Sequence, residues 1–146
     1  MTKTQRTRLV RAARAATENA YAPYSQFKVG AAVLTASGRI FSGCNIENSS
    51  YGLTVCAERV AIFKAVLGGE RKVEAVLVYA GTASLTPPCG ACLQVISEFA
   101  ENPEIVLSNE RTTKTYHLKE LLPHGFRLEP ASCHSERSET KSRNLA

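Results

Sequence analysis

Two short cysteine motifs constrain this chain more than any other feature. Cys56 begins the run Cys-Ala-Glu-Arg, and Cys89 and Cys92 belong to the run Pro-Cys-Gly-Ala-Cys. The three thiols are soft ligands, so a fold that uses them on one ion must bring two distant segments together. Zn²⁺ held by three protein ligands keeps its fourth tetrahedral position for water, whereas a structural zinc site normally has four ligands. The motifs therefore predict a catalytic zinc site, with iron and copper as the less favoured alternatives.

Both motifs are predicted to open helices. Pro88 precedes Cys89 as it would at a helix start. Two stripes then recur at helical spacing, one made of Cys92, Val95, Ile96 and Phe99, the other of Val60, Phe63 and Leu67. The first stripe is expected to turn Cys92 inward, and the second is expected to end at Gly68-Gly69. Two helix starts would thus meet at one metal, where their unpaired amides stabilise thiolates.

Glu58 and Arg59, the last two residues of the first motif, carry separate predictions. Glu58 follows the ligand Cys56 closely enough to stay near the metal without binding it, which suits a proton carrier. The alternative is an exposed glutamate that only complements the helix dipole. Arg59 lies three residues after Cys56 on the same helical face, so it can donate hydrogen bonds to ligand sulfur and reduce the charge that three thiolates place on zinc. Its alternative is an exposed helix arginine.

Two further segments accompany the cysteine motifs, YSQFKVGAA at 24–32 and NIENSSYG at 45–52. Together the four segments resemble the small zinc-dependent cytidine deaminases, from about Val10 to about Phe126. Zinc deaminases of this kind use a glutamate that is not a metal ligand. The resemblance implies one zinc per subunit and hydrolytic deamination of free cytidine and 2′-deoxycytidine in pyrimidine salvage. Glu58 would move protons from water to the ring nitrogen and to the departing ammonia.

The resemblance also implies the substrate contacts. Asn45 and Glu47 would bind ribose hydroxyls, and their i, i+2 spacing places both on one side of an extended segment. Phe27 would pack on the pyrimidine, and the backbone amide of Ala57 would bind the base carbonyl. The alternatives are turn chemistry for the Asn45/Glu47 pair and ordinary core packing for Phe27.

In the resembled family, neighbouring subunits complete each site, which implies a homotetramer with shared active sites. The residues expected to serve an adjacent subunit's site are Ser49, Ser50, Tyr51 and Phe126.

Hydrophobic patterning predicts an α/β fold, and with the resemblance a three-layer α/β/α arrangement around a five-stranded mixed sheet, like that of cytidine deaminases. A first helix is followed by strands predicted at 29–35, 39–45, 73–79, 105–108 and 114–117. Helices are predicted from about residue 56, over 89–100 and over 118–122. Ser37-Gly38 indicates a hairpin. We expect a catalytic domain over 1–130 and a disordered polar tail over 131–146.

The net charge of +5 is concentrated at one end of the chain. The basic residues Lys3, Arg6, Arg8, Arg11 and Arg14 precede a body, residues 15–130, with ten basic and eleven acidic side chains. These charges indicate the solvated face of an amphipathic first helix, with an anionic partner as the alternative. Because the body is nearly neutral and the cations are not interleaved with aromatic residues, no nucleic-acid partner is predicted.

The cysteines and the hydrophobic runs bear on location. There is no apolar run near the length that spans a membrane and no pattern of a secretory signal. Three of the five cysteines are needed as thiolates, which favours a reducing compartment and hence a cytoplasmic, soluble protein. Of the other two, Cys44 is expected to be a buried packing residue and Cys133 a free thiol in the tail.

Three functions are therefore in view: a deaminase of free nucleosides, a deaminase of a related aminonucleoside or of cytosine in nucleic acid, and a non-enzymatic zinc module. The Asn45/Glu47 pair favours the first, because it suits a sugar. A polymer-acting enzyme would need a basic groove, and a structural module would have no use for Glu58 beside an open metal position.

Overall fold

Five strands form one mixed sheet in the computed structural model, which describes residues 1–128. The strands are β1 (Val29–Thr35), β2 (Ile40–Cys44), β3 (Val73–Ala80), β4 (Glu104–Ser108) and β5 (Thr113–His117). The helices are α1 (Lys3–Ala16), α2 (Ala57–Leu67), α3 (Gly90–Phe99) and α4 (Leu118–Leu121), with 3₁₀ turns at Thr17–Asn19 and Tyr51–Leu53. The predicted order of elements is confirmed, with boundaries that shift by one or two residues.

The strands lie in the order β2-β1-β3-β4-β5. β1 pairs antiparallel with both β2 and β3, β4 pairs antiparallel with β5, and β3 and β4 form the parallel pair. A parallel pair needs a crossover connection, and the segment that contains α3 supplies it. Gly38 turns the β1–β2 hairpin with a φ of 82°, a conformation that glycine adopts at little cost. The mixed sheet predicted from the sequence is thus confirmed.

Two hydrophobic cores give the fold its three layers. On one face of the sheet, α1 buries Leu9 and Ala13 against side chains that include Leu77. On the other face, α2, α3 and α4 pack against alternate residues of the same strands, with Ile62 and Ile96 fully buried. β3 therefore lies between two apolar layers, which is why its sequence is a nearly continuous apolar run.

The backbone of α2 lies almost directly on the edge strand β2. A Cβ atom at Gly43 would be only 2.6 Å from the amide nitrogen of Ala61 and 2.8 Å from the carbonyl oxygen of Ala57. Only glycine permits that approach without a shift of the backbone. The packing fixes the first turn of α2, where the predicted site residues are, relative to the sheet.

The charged side of α1 faces away from the core. Arg6 lies 3.6 Å from a carboxylate oxygen of Glu104, and Arg14 lies 3.0 Å from one of Glu110. These exposed pairs support the interpretation of the basic N-terminal segment as a solvated helix face, and the absence of a nucleic-acid partner stays a prediction.

Three other sequence predictions concern single residues or segments. Cys44 is half-buried and its Sγ donates to the carbonyl oxygen of Asn19 at 3.3 Å, so the prediction of a buried packing residue was wrong. The predicted tail over 131–146, including Cys133, lies outside the described residues, as does the domain boundary at residue 130. Within residues 1–128, no helix combines the length and the apolar character that crossing a membrane requires.

Candidate metal centre and active site

The N-termini of two helices bring three thiols together. Cys56 is the N-cap residue of α2 and Cys89 is the N-cap residue of α3, and neither side chain caps its own helix. Cys92 lies in the first turn of α3 and is fully buried. The three Sγ atoms lie within 4.8 Å of one another, and those of Cys56 and Cys89 are 3.9 Å apart. The sulfurs are therefore free to serve one ion.

This donor set fits zinc. Tetrahedral zinc with Zn–S bonds of about 2.3 Å places neighbouring sulfurs about 3.8 Å apart, and the Cys56–Cys89 separation is 3.9 Å. Thiolates are also the ligands that discriminate best against Mg²⁺ and Ca²⁺. Among residues 1–128, the group that could hold a metal contains these three cysteines and no fourth ligand, as an open catalytic site requires.

The pKa values of Cys56 and Cys92 are shifted in opposite directions. A hydrogen bond with Cys92, together with the guanidinium of Arg59, lowers the pKa of Cys56 to about 5 against the opposing effect of burial. The same hydrogen bond with Cys56, with burial, raises the pKa of Cys92. Cys56 also lies at the N-terminus of α2, and helix N-termini favour negative charge, in agreement with the lowered pKa of this thiol.

Glu58 occupies the second position of α2 and is only 4% exposed. Burial raises its pKa, and the nearby charge of Cys56 raises it further, while hydrogen bonding to its own backbone amide lowers it. Glu58 is therefore not the exposed glutamate of the alternative interpretation. A buried carboxyl with a raised pKa is a better proton acceptor than an exposed one, which suits a group that accepts a proton and passes it on.

Arg59 links the thiols to the preceding loop. Its Nη2 atom lies 3.8 Å from Sγ of Cys56 and donates to the carbonyl oxygen of Thr54 at 3.0 Å. Its Nε atom is buried and has no hydrogen-bond partner among residues 1–128. The side chain is half-buried, so the alternative of an exposed arginine does not describe it.

A family model described as the cytidine and deoxycytidylate deaminase zinc-binding region matches residues 3–108 of this chain. That span contains both cysteine motifs and the first four strands. The chain belongs to the zinc-dependent cytidine deaminase family. Members of this family are hydrolases and bind zinc, in agreement with the three-cysteine group.

Individual cytidine deaminases match most of the chain. A cytidine deaminase of Sporosarcina psychrophila is 46% identical over 135 residues, which cover 88% of this chain and 96% of that protein. A cytidine deaminase of Halalkalibacterium halodurans is 47% identical over 83% of this chain and 93% of its own length. The crystal structure of a cytidine deaminase from Burkholderia pseudomallei superposes with a TM-score of 0.80 at 46% identity, covering 86% of this chain and all of that one. The predicted three-layer fold of the cytidine deaminases is thereby confirmed.

In this member of the cytidine deaminase family, Asn45 fastens one predicted substrate segment to the sheet. Its Oδ1 atom accepts from the amide of Val29 at 2.9 Å, and its Nδ2 atom donates to the carbonyl oxygen of Phe27 at 2.8 Å. Asn45 is buried, whereas Phe27 is partly exposed. Ordinary core packing therefore does not account for Phe27.

Glu47 forms hydrogen bonds with the start of the segment over 24–32. Its carboxylate accepts from the amides of Tyr24 at 2.9 Å and Ser25 at 3.2 Å, and it forms a short hydrogen bond with the Ser25 hydroxyl. That hydroxyl, which is the largest influence, and the two amides lower the pKa of Glu47. The sequence analysis gave Ser25 no role, although Ser25 lies within the 24–32 segment.

The predicted substrate residues do not all line one cavity of the single chain. A cavity of about 390 Å³ is lined by Tyr24, Ser25, Glu47, Tyr51 and Thr54. Thr54 connects this cavity to the thiols through its hydrogen bond with Arg59. Phe27 instead lines a neighbouring cavity beside Lys28 and Tyr79, and Phe126 lines neither of the two.

The remaining predicted residues lie on the surface or at the start of α2. Ser49 and Ser50 are exposed, and Tyr51 and Phe126 are 75% and 67% exposed. Ala57 is the first residue of α2, so its amide has no partner within the helix. The Tyr51 ring packs edge-on against Tyr24 with ring centroids 6.0 Å apart, while the Phe126 ring remains largely exposed.

Proposed function

We propose that this protein hydrolyses free cytidine and 2′-deoxycytidine to uridine and 2′-deoxyuridine, with release of ammonia, as an enzyme of pyrimidine salvage. One observation carries the proposal: a buried carboxyl, Glu58, lies in the first turn of the helix that Cys56 caps, beside an open three-cysteine group. Membership of the cytidine deaminase family supports the reaction type. The one zinc per subunit is held by Cys56, Cys89 and Cys92.

When bound by three protein ligands, zinc lowers the pKa of a coordinated water to about 7 and so supplies a nucleophile at neutral pH. Glu58 would accept a proton from the attacking water and deliver it to the ring nitrogen next to the reacting carbon. As the water oxygen bonds to that carbon, Glu58 would take the second proton from the new hydroxyl group and pass it to the amino group. The carbon–nitrogen bond then breaks, ammonia leaves, and the hydroxyl oxygen becomes the carbonyl oxygen of the product. The raised pKa of the buried Glu58 suits both directions of transfer.

Two neighbours of Glu58 assist without moving protons. The unpaired amide of Ala57 donates to the carbonyl oxygen of the base, which aligns the ring with the carboxyl. Arg59, in contact with Cys56, withdraws negative charge from the thiolate ligands. A less negative ligand set leaves zinc a stronger Lewis acid.

Asn45 and Glu47 bind the sugar. Glu47 accepts from three donors, and a carboxylate has about four lone-pair sites, so one site is available for a ribose hydroxyl. Asn45 uses one hydrogen of its Nδ2 group on Phe27, and its second hydrogen can donate to the same hydroxyl. The partly exposed ring of Phe27 packs on the pyrimidine.

The active unit is a homotetramer in which Ser49, Ser50, Tyr51 and Phe126 complete a neighbouring subunit's site. The exposed apolar face of α2 supports assembly, since Leu67 is 89% exposed and lines an apolar groove of about 380 Å³ with Leu53 and Phe63. Patches of this kind mark protein–protein contacts in stable proteins. The need for free thiols as ligands supports a cytoplasmic location.

The decisive assay follows the ultraviolet change and the release of ammonia when purified protein meets cytidine or 2′-deoxycytidine. Cytosine and a single-stranded deoxycytidine oligonucleotide serve as comparators. We expect turnover of the two nucleosides, loss of turnover after chelation of the metal and recovery with zinc. Turnover of the oligonucleotide but not of the nucleosides would replace the proposal with a deaminase of nucleic acid.

A further inference from the structure

The segment around Phe126 is tied to α3 by consecutive residues. Nε2 of Gln94 donates to the carbonyl oxygen of Phe126 at 2.6 Å. Nη2 of Arg127 donates to the carbonyl oxygen of Ser97 and, at 3.0 Å, to that of Ala100. We call Gln94 and Arg127 with these contacts the α3 clamp.

The end of α3 provides the acceptors that Arg127 uses. The last carbonyl groups of a helix have no partners within it and carry partial negative charge. The last turn of α3 contains no basic residue, and its C-cap residue, Ala100, has extended backbone angles. A cation from another segment therefore satisfies this helix end, and hydrogen bonds from a charged donor are stronger than those between neutral groups.

The α3 clamp holds the backbone of Phe126 but does not bury its ring. While the carbonyl oxygen of Phe126 faces α3, its side chain remains 67% exposed. The contacts hold the carbonyl group of Phe126 and the side chain of the next residue, Arg127, on one helix, and so restrict the directions in which the Phe126 ring can project. The same helix carries Cys89 at its N-cap and Cys92 in its first turn. The contacts therefore attach the backbone at Phe126 to a helix that also positions two cysteines of the candidate metal centre.

We propose that Gln94 and Arg127 are positioning residues that hold the Phe126 ring ready to complete a substrate pocket. The inference rests on the proposed function, because it assigns a purpose to the exposed ring. A ring that is already oriented does not have to be ordered when substrate binds, so the clamp lowers KM. Neither residue takes part in the chemical step, and kcat should therefore be nearly independent of them.

The test compares Arg127→Met and Gln94→Met, which keep side-chain length but remove the donors, with Arg127→Lys. Arg71→Met is the matched control, because Arg71 lines the same cavity as Arg127 and its side chain makes no hydrogen bond within residues 1–128. We expect Arg127→Met to raise KM for cytidine about tenfold with kcat within about twofold of wild type. Arg127→Lys should recover part of the loss, and Arg71→Met should match wild type.

A double-mutant cycle shows whether Arg127 acts through Phe126. If it does, Arg127→Met should change KM little in a Phe126→Ala background, because the group that it positions is already absent. Zinc content and hydrogen–deuterium exchange of the peptide over 122–128 would be measured on the same samples. We expect full zinc content and faster exchange in the clamp variants.

The outcomes separate the inference from the proposed function. A wild-type protein that does not deaminate cytidine contradicts the proposed function, and faster exchange in Arg127→Met would then still report the clamp. An active wild type whose KM is unchanged by Arg127→Met overturns the inference alone. Additive effects of Arg127→Met and Phe126→Ala, or a loss of zinc in Arg127→Met, would also overturn it, because Arg127 would then act on something other than Phe126.

Discussion

Nη2 of Arg59 lies 3.8 Å from Sγ of Cys56, within one turn of the same helix. The contact joins the only cationic group of α2's first turn to the thiol whose pKa is lowered to about 5. Three thiolates leave a zinc centre with net negative charge, which weakens its pull on water. The guanidinium is placed to offset that charge at the sulfur itself.

Replacing Arg59 should therefore lower activity while zinc stays bound. We expect Arg59→Gln to reduce kcat about 10- to 100-fold, the usual effect of removing a partner of a metal ligand. Arg59→Lys keeps the charge but loses the forked geometry of the guanidinium, so its kcat should lie between those of wild type and Arg59→Gln. Steady-state kinetics with metal analysis would check this, and an unchanged kcat in Arg59→Gln would show that the contact with Cys56 has no effect on the reaction.

Glu58→Gln should retain fold and zinc but lose turnover, because an amide cannot accept and return the proton. The expected loss in kcat is about 10²- to 10⁴-fold, the usual contribution of a general acid–base group. Circular dichroism, zinc content and cytidine turnover would be measured on one preparation. Turnover within about tenfold of wild type would contradict the role assigned to Glu58.

Sharing of sites between subunits can be tested with mixed oligomers. Phe126→Ala should raise KM and loosen assembly, since burying a phenylalanine side chain contributes about 1.5–3 kcal/mol. Hybrids of Glu58→Gln and Phe126→Ala subunits should regain some wild-type sites, because an intact Glu58 then meets an intact Phe126 across an interface.

Native mass spectrometry would establish that the hybrids formed, and their kinetics would be compared with each parent protein. Confirmed hybrids without a fraction of low KM would show that Phe126 does not complete a neighbour's site.

Gly43→Ala should destabilise the protein and disturb the site, because a methyl group there would lie 2.6 Å from the amide nitrogen of Ala61. Forced overpacking of this kind costs about 1–3 kcal/mol. Gly81→Ala is the control, since a Cβ atom at Gly81 would meet no atom within 4 Å. Chemical denaturation would measure both changes, and equal stabilities of the two variants would mean that α2 moves away from β2 at little cost.

Much of the fold could be predicted because local patterns report burial directly. The apolar run over 73–79 predicted a strand covered on both faces, and β3 lies between two cores. The stripe that starts at Cys92 predicted an inward-facing α3, and Cys92 and Ile96 are fully buried. The stripe of Val60, Phe63 and Leu67 predicted the helix α2 correctly, but Phe63 and Leu67 are exposed, because the buried face of α2 consists mainly of small residues.

The site was predictable where its chemistry is local and not where it depends on contacts between distant segments. Cys89 and Cys92 lie together because one helix start carries both, and the need for a third soft ligand pointed to Cys56. The hydrogen bonds of Glu47 with Tyr24 and Ser25 had no separate signal in the sequence, nor had those of Gln94 and Arg127. Each joins residues more than 20 positions apart, whose approach depends on how the loops cross the sheet.

By itself, then, the sequence determined the order of helices and strands and the three cysteines that come together, and it predicted Glu58 as the proton carrier, since spacing and side-chain chemistry are properties of the chain. Only the tertiary structure decided that Glu58 is buried, that Arg59 contacts Cys56 and that Arg127 closes the end of α3. The reason is physical: proton affinity, charge compensation and side-chain orientation depend on the solvent and charges that surround a group, and these are set when the layers pack together.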